Sequence, residues 1–150
     1  MSFLIACPKS KSDFDSYYYL RWKLLRKPYD QKIGSEKDPR EQDSYHVMAS
    51  TLDGKLIGVG RIHHDDKKKS QIRYMAVEED YRKKNVGMLI LNKLETYAIN
   101  NSIDSIYLNS RESALGFYIK NGYKIIKKSH VLFGNLQHWL MIKNIQKKYE

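Results

Sequence analysis

The spacing of apolar residues changes period several times along the chain. Phe3–Ala6 is a short apolar run of strand length. From about Asp13 to Lys27, Phe14, Tyr17, Tyr18, Arg21 and Leu25 recur at three- and four-residue intervals, with Leu24 beside them. That spacing predicts a helix, capped by Ser12 or Asp13 and ended by Pro28. Residues 28–44 are polar and charged, include Gly34 and Pro39, and read as a long loop with room for a short helix. Tyr45–Leu52 and Lys55–His63 are apolar-rich runs joined by Asp53-Gly54, a hairpin signal. His64–Lys69 is a second turn, and Ser70–Val77 a third strand. Helical spacing returns over Val86–Asn100, where Val86, Leu89, Ile90, Lys93, Leu94, Tyr97 and Ala98 share a face. Ser105–Asn109 reads as a short buried strand, and Glu112–Lys120 as a helix that Asn121-Gly122 stops. Tyr123–Phe133 and Leu136–Lys143 form a closing hairpin through Gly134-Asn135.

This order predicts a mixed α/β fold in one domain spanning residues 1–150. The strand after the long crossover helix should run parallel to the strand before it, in a right-handed unit. A chain of this length buries about 68–70% of its unfolded surface and needs no staples. The single cysteine, Cys7, excludes an intrachain disulfide, fits a reducing compartment, and reads as a structural residue at a strand end. No apolar run approaches the ~20 residues that cross a bilayer, and Phe3–Cys7 is too short for a signal-peptide core. The expected location is the cytoplasm, with no membrane partner.

Charge narrows the partners. The formal net charge is +10, which favours nucleic acid, anionic lipid or a phosphate-rich ligand. The positive residues lie in short clusters, Lys67–Lys69, Arg82–Lys84, Lys127–Lys128 and Lys147–Lys148, and none forms a basic tail. Only Arg82–Lys84 sits where a strand turns directly into an amphipathic helix, in the segment YMAVEEDYRKKNVGMLIL from Tyr74 to Leu91. A helix start offers unpaired N–H groups and partial positive charge, the requirements of a pyrophosphate. Gly87 leaves room for close backbone approach.

That turn resembles the acyl-CoA-binding signature of GNAT-type N-acetyltransferases, Q/R-x-x-G-x-G/A, with Arg82 first, Asn85 fourth and Gly87 sixth. The resemblance implies that the backbone of Arg82, Lys83, Lys84, Asn85, Val86, Gly87 and Met88 holds the pyrophosphate of acetyl-CoA. It also implies that the main chain of Met75, Ala76 and Val77 binds the pantetheine arm. Asn85 replaces the first glycine, and asparagine tolerates unusual backbone angles well. A second segment, SIYLNSRESALGFYIKNGY from Ser105 to Tyr123, resembles the family's other hallmark, A-x-x-F-Y-x-K-x-G-F/Y. Ala114, Phe117, Tyr118, Lys120, Gly122 and Tyr123 match it. By that likeness Asn109 lies near the pantetheine, Tyr118 near the sulfur, Phe117 walls the cofactor, and Lys120 helps neutralise its phosphates.

The implied activity is transfer of acetyl from acetyl-CoA, a co-substrate, to a primary amine by direct attack, with Tyr118 as general acid and no metal. The fold implied is the GNAT-like acyl-CoA N-acyltransferase fold, a mixed central sheet flanked by helices. A homodimer is a possible assembly. The first 45 residues build the acceptor side, where Glu36 or Asp43 would attract a cationic amine. For the general base, Glu36, Asp43, His46, His63, His64 and His138 stay open, as does a water chain. Two competing readings are a GNAT-fold module that binds acyl-CoA without catalysis and a basic nucleic-acid-binding domain. No nucleic-acid motif appears, and the basic clusters do not share a helix face.

Overall fold

The structure, a computed structural model, describes residues 2–66 and 68–145. Lys67, Lys147 and Lys148 of the basic clusters lie outside the described residues. In chain order the elements are β1 (Phe3–Ala6), α1 (Lys11–Leu25), β2 (Ser44–Thr51), β3 (Leu56–Asp66), β4 (Lys69–Val77), α2 (Val86–Asn100), β5 (Ser105–Arg111), α3 (Leu115–Lys120), β6 (Lys124–Leu132) and β7 (Leu136–Asn144). Short 3₁₀ turns at Lys27–Tyr29 and Glu41–Asp43 punctuate the long loop, as its composition allows. A further turn at Glu112–Ala114 leads into α3.

The strands form one seven-stranded sheet in the order β1-β2-β3-β4-β5-β7-β6. Neighbours are antiparallel except β4 and β5, which α2 connects and which run parallel, as the crossover argument requires. Their pairing lasts only from Lys69–Gln71 against Ser105–Tyr107. Beyond it β4 runs on to Val77 and β5 to Arg111 without pairing, and the sheet opens.

Two layers cover the sheet. On one face α2 buries Val86, Ile90, Leu91, Leu94 and Ala98 against Val47, Ile62, Ile72, Ile106 and Leu108, with Tyr118 and Tyr123 of the α3 segment joining the same core. On the other face α1 packs Tyr17 and Leu20 against Val59. Gly58 and Gly60 admit α2, because a Cβ at either would lie 2.8 or 2.7 Å from Ile90.

Two expectations shift. Helix α1 starts two residues earlier than its spacing suggests, because Ser10 caps it: the Ser10 hydroxyl accepts from the Asp13 N–H at 3.0 Å, while the Asp13 carboxylate receives the Ser10 N–H. Asp13 is thus the reciprocal member of a capping box, not the cap. Strand β4 carries an irregularity that the alternation hides. Val59 faces Ala76 and Arg61 faces Arg73, so Tyr74 and Met75 together oppose Gly60. Tyr74 takes φ 57°, the left-handed region of a bulge. Arg73 and Tyr74 therefore both face α1, although they are consecutive.

Candidate active site

The site is built where β4 and β5 part. At its head, the turn after β4 enters α2 through two left-handed residues, Lys83 at φ 61° and Asn85 at φ 68°. Asn85 occupies the N-cap position, and no side chain caps the helix. The first N–H groups of this 15-residue helix are therefore open to an anion. Arg82, Lys83, Lys84 and Asn85 are exposed around it, while Val86 is buried in the core. Arg82 Nε donates to the Val77 carbonyl at 3.1 Å, and Lys84 Nζ lies 5.5 Å from the Tyr81 ring centre. Asn85 suits the turn for the reason its chemistry suggests. Lys83 in the same region was not foreseen.

Gly87 differs from its sequence reading. A Cβ there would meet Cε1 and Cζ of Phe117 at 3.2 Å, so the glycine makes room first for that ring. Phe117 of α3 thereby packs on the first turn of α2, and Met88 beside it is exposed. Lys120 is exposed at the far end of α3.

Tyr118 projects into the opening from α3. It is 8% exposed, and its hydroxyl reaches the Sδ of Met75 on β4 at 3.6 Å. A thioether sulfur is a weak acceptor, readily exchanged for a better one. Burial pushes the phenol well above its ordinary range, and the nearby Arg111 guanidinium only partly offsets this. The hydroxyl therefore stays protonated at all ordinary pH values, a donor rather than a base. Met75 and Val77 turn toward α2, and Ala76 joins the α1 layer. Asn109, on β5 opposite Leu140, is half-buried.

The α1 face of the opening is rich in arginine. The Tyr74 ring has the guanidinium carbons of Arg21, Arg73, Arg61 and Arg26 at 4.3, 4.5, 5.0 and 5.5 Å from its centre. Arg61 bonds Asp38 and Glu41 at 2.6 and 2.8 Å, Arg21 bonds Glu41 at 2.9 Å, and Arg73 bonds Asp38 at 2.8 Å. Burial opposes ionisation of Asp38, yet hydrogen bonds and charge from Arg61 and Arg73 hold its carboxyl well below the usual range. Tyr17 completes this network: its hydroxyl donates to the Gly60 carbonyl at 3.0 Å and meets His46 Nδ1 at 2.9 Å.

The candidate bases separate on this geometry. His46 also donates from Nε2 to the Glu41 carbonyl at 2.8 Å, and His63 Nδ1 is bonded by Arg61 at 2.9 Å. Burial and the charge of Arg61 push His63 down to about 4. His64 is bonded to the Ser70 hydroxyl at 2.8 Å. Glu36 is 3% exposed and accepts from the Gly34 N–H at 2.7 Å; Asp43 is exposed and paired with Arg40. Both carboxylates are engaged by partners within the 28–44 loop. His138 is different. It lies directly across from Arg111 in the β5–β7 ladder and stacks on His130 at 4.4 Å. Its Nδ1 donates to the Leu136 carbonyl at 3.0 Å, which leaves Nε2 with a lone pair. Arg26, Tyr29, Arg73, Arg111 and His130 are neighbours in this region that the sequence pattern did not single out. They come from four separate segments, and no spacing along the chain announces their meeting.

Among the described residues no group of three or more His, Cys, Asp or Glu is placed to hold a metal ion, and no helix is long and apolar enough to cross a membrane.

Residues 11–123 match the Acetyltransferase (GNAT) family. The chain belongs to this family. Among its relatives, the uncharacterised N-acetyltransferase YjcF of Bacillus subtilis (strain 168) is 26% identical over 137 residues, covering 91% of this chain and 96% of the relative. The fold is shared with a GNAT-family acetyltransferase of Staphylococcus aureus Mu50, at TM-score 0.80, 19% identity and coverage of 97% and 100%. It is shared equally with an aminoglycoside 6'-N-acetyltransferase complexed with coenzyme A, at TM-score 0.80, 18% identity and full coverage of both chains. The mixed seven-stranded sheet with its helices is the fold shared with these GNAT structures.

Proposed function

We propose that this GNAT protein transfers acetyl from acetyl-CoA to a primary amine by direct attack, with Tyr118 as proton donor to the leaving sulfur. The observation that carries the reading is the uncapped, basic start of α2 at the head of the β4–β5 opening, with the Tyr118 hydroxyl inside that opening.

Acetyl-CoA would supply an activated thioester. The N–H groups at the start of α2, with Arg82, Lys83 and Lys84, would hold its pyrophosphate by charge and by the helix terminus. The edge of β4 from Met75 to Val77, unpaired toward β5, offers main-chain groups to the arm. Tyr118, kept protonated by burial, would donate to the sulfur as negative charge develops there. His138 Nε2 is the proton acceptor that the geometry favours for the amine, since its tautomer is fixed and the ring is neutral near pH 7. The amine nitrogen forms the new bond to the acetyl carbon, the carbon–sulfur bond breaks, one amine proton passes to the base, and the thiolate takes a proton.

Calorimetry with acetyl-CoA and thiol release with a panel of amines test the reading. Stoichiometric binding together with amine-dependent thiol release is expected. Absence of binding would overturn the proposal. Binding without release for any amine would leave a CoA-binding module and remove the transferase.

A further inference from the structure

Two arginines beside the opening stand apart from the carboxylate network. Arg26, 8% exposed at the end of α1, donates from Nε to the Ser35 carbonyl at 3.2 Å and from Nη1 to the Leu25 carbonyl at 3.1 Å. Arg111, half-buried at the end of β5, reaches the same Leu25 carbonyl at 3.4 Å and the Tyr29 hydroxyl at 3.4 Å. Their shared carbonyl places the two guanidiniums side by side. Neither meets a carboxylate among the described residues. Arg73 comes from β4 on the same face, and His130 and His138 from the β6–β7 hairpin.

Like charges gathered out of water repel, and burial removes the solvent that would screen them. Burial and the neighbouring charges of Arg73, Arg111 and Arg21 depress Arg26; burial and Arg82 do the same to Arg111. Among the described residues, the guanidiniums of Arg21, Arg61 and Arg73 are paired with two carboxylates, Asp38 and Glu41, and those of Arg26 and Arg111 with none. Arg111 holds five N–H donors and makes two long hydrogen bonds, neither to a carboxylate. The rings of Tyr29 and Phe133 stack at 5.1 Å beside both cations, with Tyr29 under Arg111 and Phe133 under Arg26. Against this wall Arg26 keeps Nη2 without a hydrogen-bond partner among the described residues, and Arg111 makes one long bond from each of Nη1 and Nη2.

We propose that Arg26 and Arg111 bind an anionic group of the acceptor, so that the acetylated amine belongs to a molecule that also carries a carboxylate or a phosphate. The inference rests on the transferase reading above and narrows its substrate. A planar guanidinium pair suits either anion through paired N–H···O bonds. A polycationic acceptor would add to the repulsion already present.

Matched acceptor pairs test it. Glycine against glycinamide isolates a carboxylate, and O-phosphoethanolamine against ethanolamine isolates a phosphate, all followed by thiol release from acetyl-CoA. At least one anionic member should exceed its neutral partner in kcat/KM by roughly 10-fold or more, the worth of a charged hydrogen bond. The larger of the two ratios identifies the anion. Arg111→Gln and Arg26→Gln should each collapse that ratio toward one by raising KM, with acetyl-CoA affinity unchanged by calorimetry. Arg111→Lys, which keeps the charge and removes the fork, should recover part of it. Circular dichroism verifies that each variant is folded. With CoA saturating the pyrophosphate turn, N-acetylglycine or N-acetyl-O-phosphoethanolamine should also raise the thermal midpoint above that with N-acetylglycinamide, a readout that needs no turnover. Neutral or polycationic amines preferred over anionic ones would overturn the inference and leave the transferase reading intact. Arg111→Gln weakening acetyl-CoA as much as the acceptor would overturn it too, by assigning that arginine to the cofactor. Failure to bind acetyl-CoA would instead remove the reading on which it rests.

Discussion

Gly87 lies against the ring of Phe117, with 3.2 Å between the ring edge and the place a Cβ would occupy. The contact couples the first turn of α2 to α3, and so ties the basic turn to the helix that bears Tyr118. Valine at 87 must push Phe117 aside or tilt the start of α2. Gly87→Val should weaken acetyl-CoA binding at least ~10-fold in calorimetry. Adding Phe117→Leu should restore part of that affinity. A folded Gly87→Val protein with parental affinity would show that the turn does not depend on this contact.

Tyr118→Phe keeps the ring in its place and loses only an O–H bonded to a thioether. Thermal stability should change little. The turnover number should fall by roughly 10²–10⁴, the usual contribution of a positioned general acid, with acetyl-CoA affinity within a few fold. Single-turnover kinetics provide the measurement. A rate within twofold of the parent would assign the sulfur's proton to another donor.

The acid limb of the rate profile should belong to His138. Burial, then the charges of His130, Arg111 and Arg26, lowers its pKa from the ordinary 6.5, while its bond to Leu136 opposes them. The ring is thus neutral, and able to accept a proton, from neutral pH down to below 6.5. The kcat/KM value should stay level as pH falls to that point and then decline as the imidazole charges. His138→Gln should lower the plateau and abolish the limb. An unchanged profile in that variant would exclude His138 as the base.

Asp38 should matter for stability. Its carboxylate joins Arg61 and Arg73, and Arg61 is fully buried. Asp38→Asn would leave a buried guanidinium short of a partner and should cost roughly 2–4 kcal/mol in denaturant unfolding. The pKa is lowered in the fold, so the stabilisation is complete above the ordinary 3.8 and is lost as pH falls through the lower folded value. The difference between parent and variant should therefore hold from neutral pH to about pH 4 and shrink below it. A difference that grows in acid would contradict this assignment.

The sequence carried the element order because period and punctuation are local properties. Asp53-Gly54, Asn121-Gly122 and the apolar stripe of α2 each act within a few residues. The two motif segments were legible for the same reason, since Arg82–Met88 and Ala114–Tyr123 are contiguous. What stayed hidden depends on residues meeting from afar. The bulge at Tyr74 leaves no mark, because a tyrosine at φ 57° looks like any strand tyrosine. Glu36 and Asp43 looked like free carboxylates until the loop was seen to consume them in its own hydrogen bonds. Arg26 and Arg111 are 85 residues apart and share one carbonyl.

Strands β4 and β5 are joined by three residue pairs, and every other strand neighbour in the sheet is more broadly laced or lies at its margin. Mechanically the sheet is two plates, β1 to β4 and β5 to β7, hinged along one short seam. A molecule wedged between the plates would act as a rivet across that seam. Its grip would govern how tightly the two halves of the protein move together.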